Sequence, residues 1–441
     1  MIGLSAFLFV IVALGASVPI PDNDPFYQPP LGFESSAPGT VFNNRTISSG
    51  ITGASAVQLL YRTTYTNGTA GATVATVLRG LLSEGDKVVA YQNPEDSVNT
   101  TCAPSYVFST GNGPSFGSDI TNGLDNGWTL VVPDYEGFGS AFGAGRQSGY
   151  AVLDALRAAF NYAPFDVLKN ATVGGYGYSG GAIATGWAAS VQSTYAPELN
   201  VKGWAFGGTP ANVTSTLQHV EGTVFAGFAV AGMAGTMAAY PALATRFDEI
   251  ATARGLAAIA TVKTQCDSAD LSSFLFVNVE NTAYQNLGSQ LLYDPVIAPI
   301  LANGTMGIDS TLTPTAPAYM YHGKSDEVIP YASALKTALA WCANAASIEF
   351  VTETGGTGHI GTADVLGKNA TDWLELRMSG VAPATGCSYV SWDEAGSPFK
   401  RDGGSALARF GVGDERIADD IKKRVREGRS VPSLWSYAWM M

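Results

Sequence analysis

Apolar and polar positions fall into short, regularly spaced runs along most of this 441-residue chain. Val57 to Tyr65 and Ala72 to Leu78 are two extended runs, with the turn dipeptide Asn67-Gly68 between them, which predicts an antiparallel hairpin. Further apolar runs lie near 87–91, 128–133, 171–176, 201–206, 316–321 and 347–351, separated by segments of helical spacing. Strands that alternate with helices predict an α/β fold with a mostly parallel sheet covered on both faces. The alternation breaks between Thr209 and Thr313, where residues 222–245 carry no charge and are rich in Ala, Gly, Phe and Met. The length of that stretch suits a membrane span. However, Gly and Ala contribute little transfer energy and Pro241 interrupts it, so a largely helical cap is expected instead.

Chemistry enters at Gly177-Tyr178-Ser179-Gly180-Gly181. The run Ala171 to Tyr176 reads as a buried strand, and Ala182 to Ala189 reads as a helix of small residues. A strand, a one-residue corner and a helix form the nucleophile elbow of α/β-hydrolases. Gly177 and Gly181 keep the strand and helix free of side chains where they nearly touch. A serine hydroxyl needs a base, and the base needs a carboxylate to hold its tautomer, in the chain order Ser, Asp or Glu, His. The chain has three histidines. His359 sits in a glycine-rich loop after the strand-like run 347–351 and is the expected base. His322 precedes the acid candidates and reads as a buried structural residue, and His219 as a surface or cap residue. For the acid, Asp326 is preferred in Gly323-Lys324-Ser325-Asp326-Glu327, with Glu327 read as a solvated carboxylate at a helix start. The long interval from Ser179 to Asp326 leaves room for a cap, and that from Asp326 to His359 spans one helix and one strand. One oxyanion donor is expected from the backbone N–H of Gly180, and the other from the loop Gln92 to Ser97, whose residues the chain's physics leaves open.

These stretches resemble the fungal secretory lipases of the lipase A type. The resemblance rests on Pro94-Glu95-Asp96-Ser97 with Cys102-Ala103-Pro104-Ser105-Tyr106, then Pro133 to Gly137 and Gly149 to Ala158. It continues through the Gly-Tyr-Ser-Gly-Gly elbow, Gly207 to Asn212, and the Asp326 and His359 loops, covering roughly residues 25 to 380 in order. It implies that Ser179, Asp326 and His359 form a triad, and that Asp96 assists Gly180 at the oxyanion, either protonated or through its backbone. It also implies cleavage of acylglycerols and simpler esters. Acyl transfer, or deacetylation of a small metabolite, is the alternative within the same chemistry. A non-catalytic binding protein of the same fold is the reading from another class, and the ordered Ser, Asp and His speak against it. A serine peptidase lacks the amine-anchoring acidic pair.

Composition sets the remaining bounds. Hydrophobic residues make up 46% and charged residues 14%, as in a well-buried globular protein. A net charge of −13 argues against nucleic acid or anionic membrane as a partner. No phosphate-binding loop and no histidine cluster is present, so neither cofactor nor metal is expected. The expected substrate is an ester or lipid met at a lipid–water interface, by a monomer without a transmembrane anchor. The expected organisation is a signal peptide over 1–17, a catalytic domain over 18–390 with its cap at about 209–313, and a tail over 391–441 containing a charged amphipathic helix. Export is also indicated by N-x-S/T sequons at Asn44, Asn67, Asn99, Asn170, Asn212, Asn303 and Asn369. Four cysteines fit two disulfides in any of three pairings; the family resemblance favours Cys102 with Cys266 and Cys342 with Cys387.

Overall fold

The computed structural model describes residues 18–111 and 117–393. The signal peptide expected over 1–17 and the charged helix expected near 413–426 lie outside them. The strands are β1 (Val41–Ile47), β2 (Ala54–Thr64), β3 (Ala70–Gly80), β4 (Lys87–Gln92) and β5 (Thr129–Pro133). They continue with β6 (Thr172–Tyr178), β7 (Val201–Gly207), β8 (Ala318–Gly323), β9 (Ile348–Glu353) and β10 (Ser388–Trp392). All ten form one sheet in the order β1-β2-β3-β5-β4-β6-β7-β8-β9-β10. β1, β2, β3 and β5 pair antiparallel, and every pair from β5 to β10 is parallel. The expected hairpin is β2–β3, with Thr64 paired to Ala70 and Gly68 at φ 82° in its turn.

Both faces of the sheet are covered. The helices Gly145–Asn161, Gly180–Tyr195 and Tyr331–Ala343 bury one face, and Gly117–Asp125 and Gly358–Met378 bury the other. The first two helices cross so closely that a Cβ on Gly149 would stand 2.8 Å from the backbone N of Ala188. In the central strand β6, a Cβ on Gly175 would meet the Trp204 ring at 2.3 Å, so glycine there makes room for a buried indole. This is the α/β-hydrolase architecture.

Between β7 and β8 the chain leaves the sheet and folds into helices Val213–Val220, Ala226–Ala239, Pro241–Ile250, Ala253–Val262, Asp267–Ser273 and Ile297–Asn303. They share an apolar core of their own around Val230, Phe247, Ile259 and Val262, which also takes in Val328 and Ile329 from the loop after β8. The uncharged stretch 222–245 is split between two of these helices at Tyr240. No described helix is long and apolar enough to cross a membrane. Disulfides join Cys102 to Cys266 and Cys342 to Cys387. Asn44, Asn67, Asn170, Asn303 and Asn369 are exposed, whereas Asn99 and Asn212 are half-buried and use their side-chain oxygens to cap the turns that follow.

Candidate active site

The loops after β4, β6, β7, β8 and β9 all leave the carboxyl edge of the parallel strands, where open α/β sheets place their ligands. Ser179 is the corner between β6 and the helix Gly180–Tyr195, at φ 55° and ψ −124°. L-residues rarely adopt that backbone, and such strain costs on the order of 1–3 kcal/mol. Two close approaches hold the corner in place. A Cβ on Gly177 would lie 2.6 Å from the carbonyl oxygen of Gly181, and one on Gly181 would lie 2.0 Å from that of Gln92.

The Ser179 hydroxyl lies 2.8 Å from His359 Nε2, and His359 Nδ1 lies 2.7 Å from Asp326 Oδ2. Asp326 Oδ1 accepts from the backbone N–H groups of Val328 at 3.0 Å and Ile329 at 2.7 Å. His322 is buried, as expected, but it does more than fill space. Its Nε2 stands 3.2 Å from Asp326 Oδ2 and 3.1 Å from the carbonyl oxygen of Ile329, an acceptor that requires the proton on Nε2. His219 is exposed in the last turn of its helix.

Burial alone would raise the Asp326 carboxyl. The charge of His359 and the hydrogen bonds from His322 and His359 outweigh it and hold Asp326 well below the usual carboxylate range. Burial pulls His359 downward, but Asp326, then Glu327 and Asp96, together raise it above its ordinary value. An imidazole poised between a hydroxyl and an ionised carboxylate has the parts needed for nucleophilic acyl transfer.

Glu327 corrects one expectation. It is half-buried, not solvated, and its Oε2 accepts from the backbone N–H of His359 at 2.9 Å. Burial first, opposed by His359 and reinforced by Asp326, pushes its carboxyl to about 7.

Across from the hydroxyl, the Asp96 carboxyl packs on Gly180; a Cβ at Gly180 would stand 1.7 Å from Asp96 Oδ1. Asp96 is buried at φ 51°, and its Oδ1 has no hydrogen-bond partner among the described residues. Burial, with Asp267 adding to it and His359 opposing, raises Asp96 to about 7, which favours the protonated form that can donate. The loop is tied to the helical insert twice. Ser97 Oγ accepts from the N–H of Asp267 at 2.9 Å, and Cys102 is bonded to Cys266.

Two other residues at the site gave no clear sign in the chain. Tyr178 donates its hydroxyl to the carbonyl oxygen of His359 at 2.5 Å. Gly208 has φ +54°, and a Cβ there would meet His359 Cε1 at 2.8 Å. The signals available were the aromatic residue before the elbow serine and the Gly207-Gly208 pair ending β7.

The profile of the family described as secretory lipase matches residues 118–386. The chain belongs to the secretory lipase family. Relatives of this lipase include a secreted triacylglycerol lipase of Malassezia furfur, 39% identical over 404 residues, covering 88% of this chain and 86% of that one. A secreted triacylglycerol lipase of Malassezia restricta is 39% identical over 420 residues, covering 92% and 88%. Among solved structures, lipase A of Candida antarctica in its closed state is 31% identical with a TM-score of 0.80, covering 86% of this chain and 91% of that chain. The lipase is thus a secreted carboxylic-ester hydrolase with an α/β-hydrolase fold.

An apolar cavity, partly open to solvent, begins at this secretory lipase's Ser179, Gly180 and Asp96 and extends under the helical insert. Phe142 and Ile183 form its core side, and Val213, Leu217, Phe228, Met233, Phe247 and Leu301 form its roof.

Beside the cavity lies a group of buried carboxyls. Glu95 and Glu136 are raised well above the usual range, by burial first and then by neighbouring carboxyls: Asp134 and Asp96 act on Glu95, and Glu95, Asp96 and Asp134 act on Glu136; burial also lifts Asp134 to about 7. Such groups ionise near pH 4 in the unfolded chain, so above that the fold binds more protons and its stability falls as pH rises through about 7. His359, also raised, acts in the same direction, whereas the contribution of Asp326 is lost only below about pH 4. Thermal unfolding between pH 5 and 8 is therefore expected to give the highest Tm near pH 5. A Tm that is flat or rises toward pH 8 would contradict neutral buried carboxyls.

Proposed function

We propose that this lipase cleaves acylglycerols with long acyl chains. In this reading Ser179 attacks the ester carbonyl, and His359 takes the hydroxyl proton and returns it to the departing alcohol. Asp326 holds the His359 ring. The backbone N–H of Gly180 and the protonated carboxyl of Asp96 stabilise the oxyanion. Water then enters and attacks the acyl carbonyl as it gives a proton to His359, which passes that proton to the Ser179 oxygen as the fatty acid leaves. The observation that carries the substrate reading is the apolar cavity that starts at the Ser179 hydroxyl and is roofed by the insert. The relatives named as triacylglycerol lipases support it.

The test is hydrolysis of p-nitrophenyl esters from acetyl to palmitoyl. Each methylene buried in the cavity contributes about 0.8 kcal/mol, so kcat/KM is expected to rise up to about fourfold per methylene until the cavity is filled. Activity confined to acetyl and butyryl esters would indicate a short-chain esterase instead. Gly232 lines the cavity, and a Cβ there would meet only Phe142 Cε1, at 3.9 Å. Gly232→Phe is therefore expected to fit and to shorten the cavity, lowering kcat/KM for the palmitoyl ester by ~50-fold, the equivalent of about three methylenes, while leaving the acetyl ester within twofold. Equal losses on both esters would place the acyl chain elsewhere.

A further inference from the structure

Asp326 and Glu327 are consecutive carboxylates that reach the same histidine at different points. Asp326 takes the ring at Nδ1, and Glu327 Oε2 accepts the main-chain N–H of His359 at 2.9 Å. His359 is the second residue of the helix Gly358–Met378, so that N–H is one of the first amides, which have no partner within the helix. The N-cap residue Thr357 sits at φ −73° and ψ −13° and makes no side-chain cap bond. The cap comes instead from the loop after β8. Gly358 makes room for it: its φ is +72°, and a Cβ there would lie 2.7 Å from Glu327 Oε2. A negative charge at a helix N-terminus is also favoured by the helix dipole. With Tyr178 bonded to the His359 carbonyl, the histidine is held at its N–H, its C=O and its Nδ1, leaving Nε2 for Ser179.

We propose that Glu327 is a positioning residue for His359. It fixes the histidine's backbone through the amide, and it adds negative charge beside the imidazolium that forms when Ser179 gives up its proton. The proposal rests on the acyl-transfer reading of Ser179, His359 and Asp326. The other titratable groups around that imidazole are Asp326, with His322 behind it, Asp96 from the loop after β4, and Tyr178 from β6. A hydrogen bond from a neutral N–H to a carboxylate at a buried site is strong enough to matter here.

Glu327→Gln keeps an acceptor oxygen of the same reach and removes the charge, whereas Glu327→Ala removes both. On a p-nitrophenyl butyrate assay, Glu327→Ala is expected to lower kcat about 10- to 100-fold with KM within twofold. Glu327→Gln is expected to recover kcat to within about tenfold of the parent. It should also shift the acid limb of the kcat/KM–pH profile to lower pH: the Glu327 carboxyl lies near 7, the His359 charge favours its ionisation, and glutamine removes the negative charge it then carries beside the ring. A merely structural glutamate would change Tm in both variants and leave the pH profile where it was. Parent-like kcat and profile in Glu327→Ala would overturn the proposal. If that variant does not fold, an unmoved acid limb in Glu327→Gln overturns it. Ser179→Ala in the same assay separates the two readings: activity surviving there refutes the triad, whatever Glu327 does.

Discussion

Ser179→Ala is expected to lower kcat by about 10⁶-fold while leaving KM within a factor of two. That loss corresponds to ~8 kcal/mol of transition-state stabilisation. It exceeds what any other single site can cost, because without the hydroxyl no acyl-enzyme forms, and only oxyanion stabilisation and binding remain. His359→Gln should cost nearly as much, and the double variant little more, since the pair acts as a unit. The fold should survive, because the hydroxyl's one described hydrogen bond is to His359. Ser179→Gly offers a sharper check. Glycine accepts φ 55° and ψ −124° without strain, so this variant is expected to be as inactive as the alanine one but more stable by about 1 kcal/mol. Ester hydrolysis, labelling by a fluorophosphonate and thermal unfolding, run on the parent and on the alanine and glycine variants of Ser179, decide the matter. An alanine variant with more than a hundredth of the parent activity would end the nucleophile assignment.

Asp326→Asn comes second, with an expected loss of about 10⁴-fold in kcat. The reason is specific to this loop. Oδ1 faces two backbone N–H groups, from Val328 and Ile329, so the oxygen of an asparagine has to stay there. Its NH₂ group would then face His359 Nδ1 and the protonated Nε2 of His322. Donation into Nδ1 puts the His359 proton on Nε2, pointing at the serine it should deprotonate. The two backbone bonds remain, so stability should fall far less than activity. Steady-state kinetics beside a melting curve would test this; a loss under tenfold would mean that Asp326 does not set the tautomer.

How legible these features were depends on whether they are local. The elbow could be read because strand, corner and helix are contiguous, and the glycines at 177 and 181 mark a steric demand within a few residues. His359 could be found because only three histidines exist. β1 and β10 were not expected, because they are edge strands with half-exposed or exposed side chains and so lack the apolar run that marked the others. Glu327 was misread for a related reason. A carboxylate at a loop tip looks solvated until the helix carrying His359 packs against it. The need for glycine at 180 and 208 is likewise tertiary, since the groups that would clash, Asp96 and His359, come from distant segments.

The bond between Cys102 and Cys266 spans 164 residues and fastens the insert to the segment just past Asp96. Closing so long a loop restrains the unfolded chain by on the order of 5 kcal/mol. That restraint exists only where thiols are oxidised, as on a secretory route. Production in a reducing cytosol would leave Ser97 and its neighbours joined to the insert by the Asp267 N–H bond to Ser97 and the packing of Val98 in the insert's core, on the side of Asp96. The choice of expression host therefore sets how firmly the segment beside Asp96 is fastened to the insert.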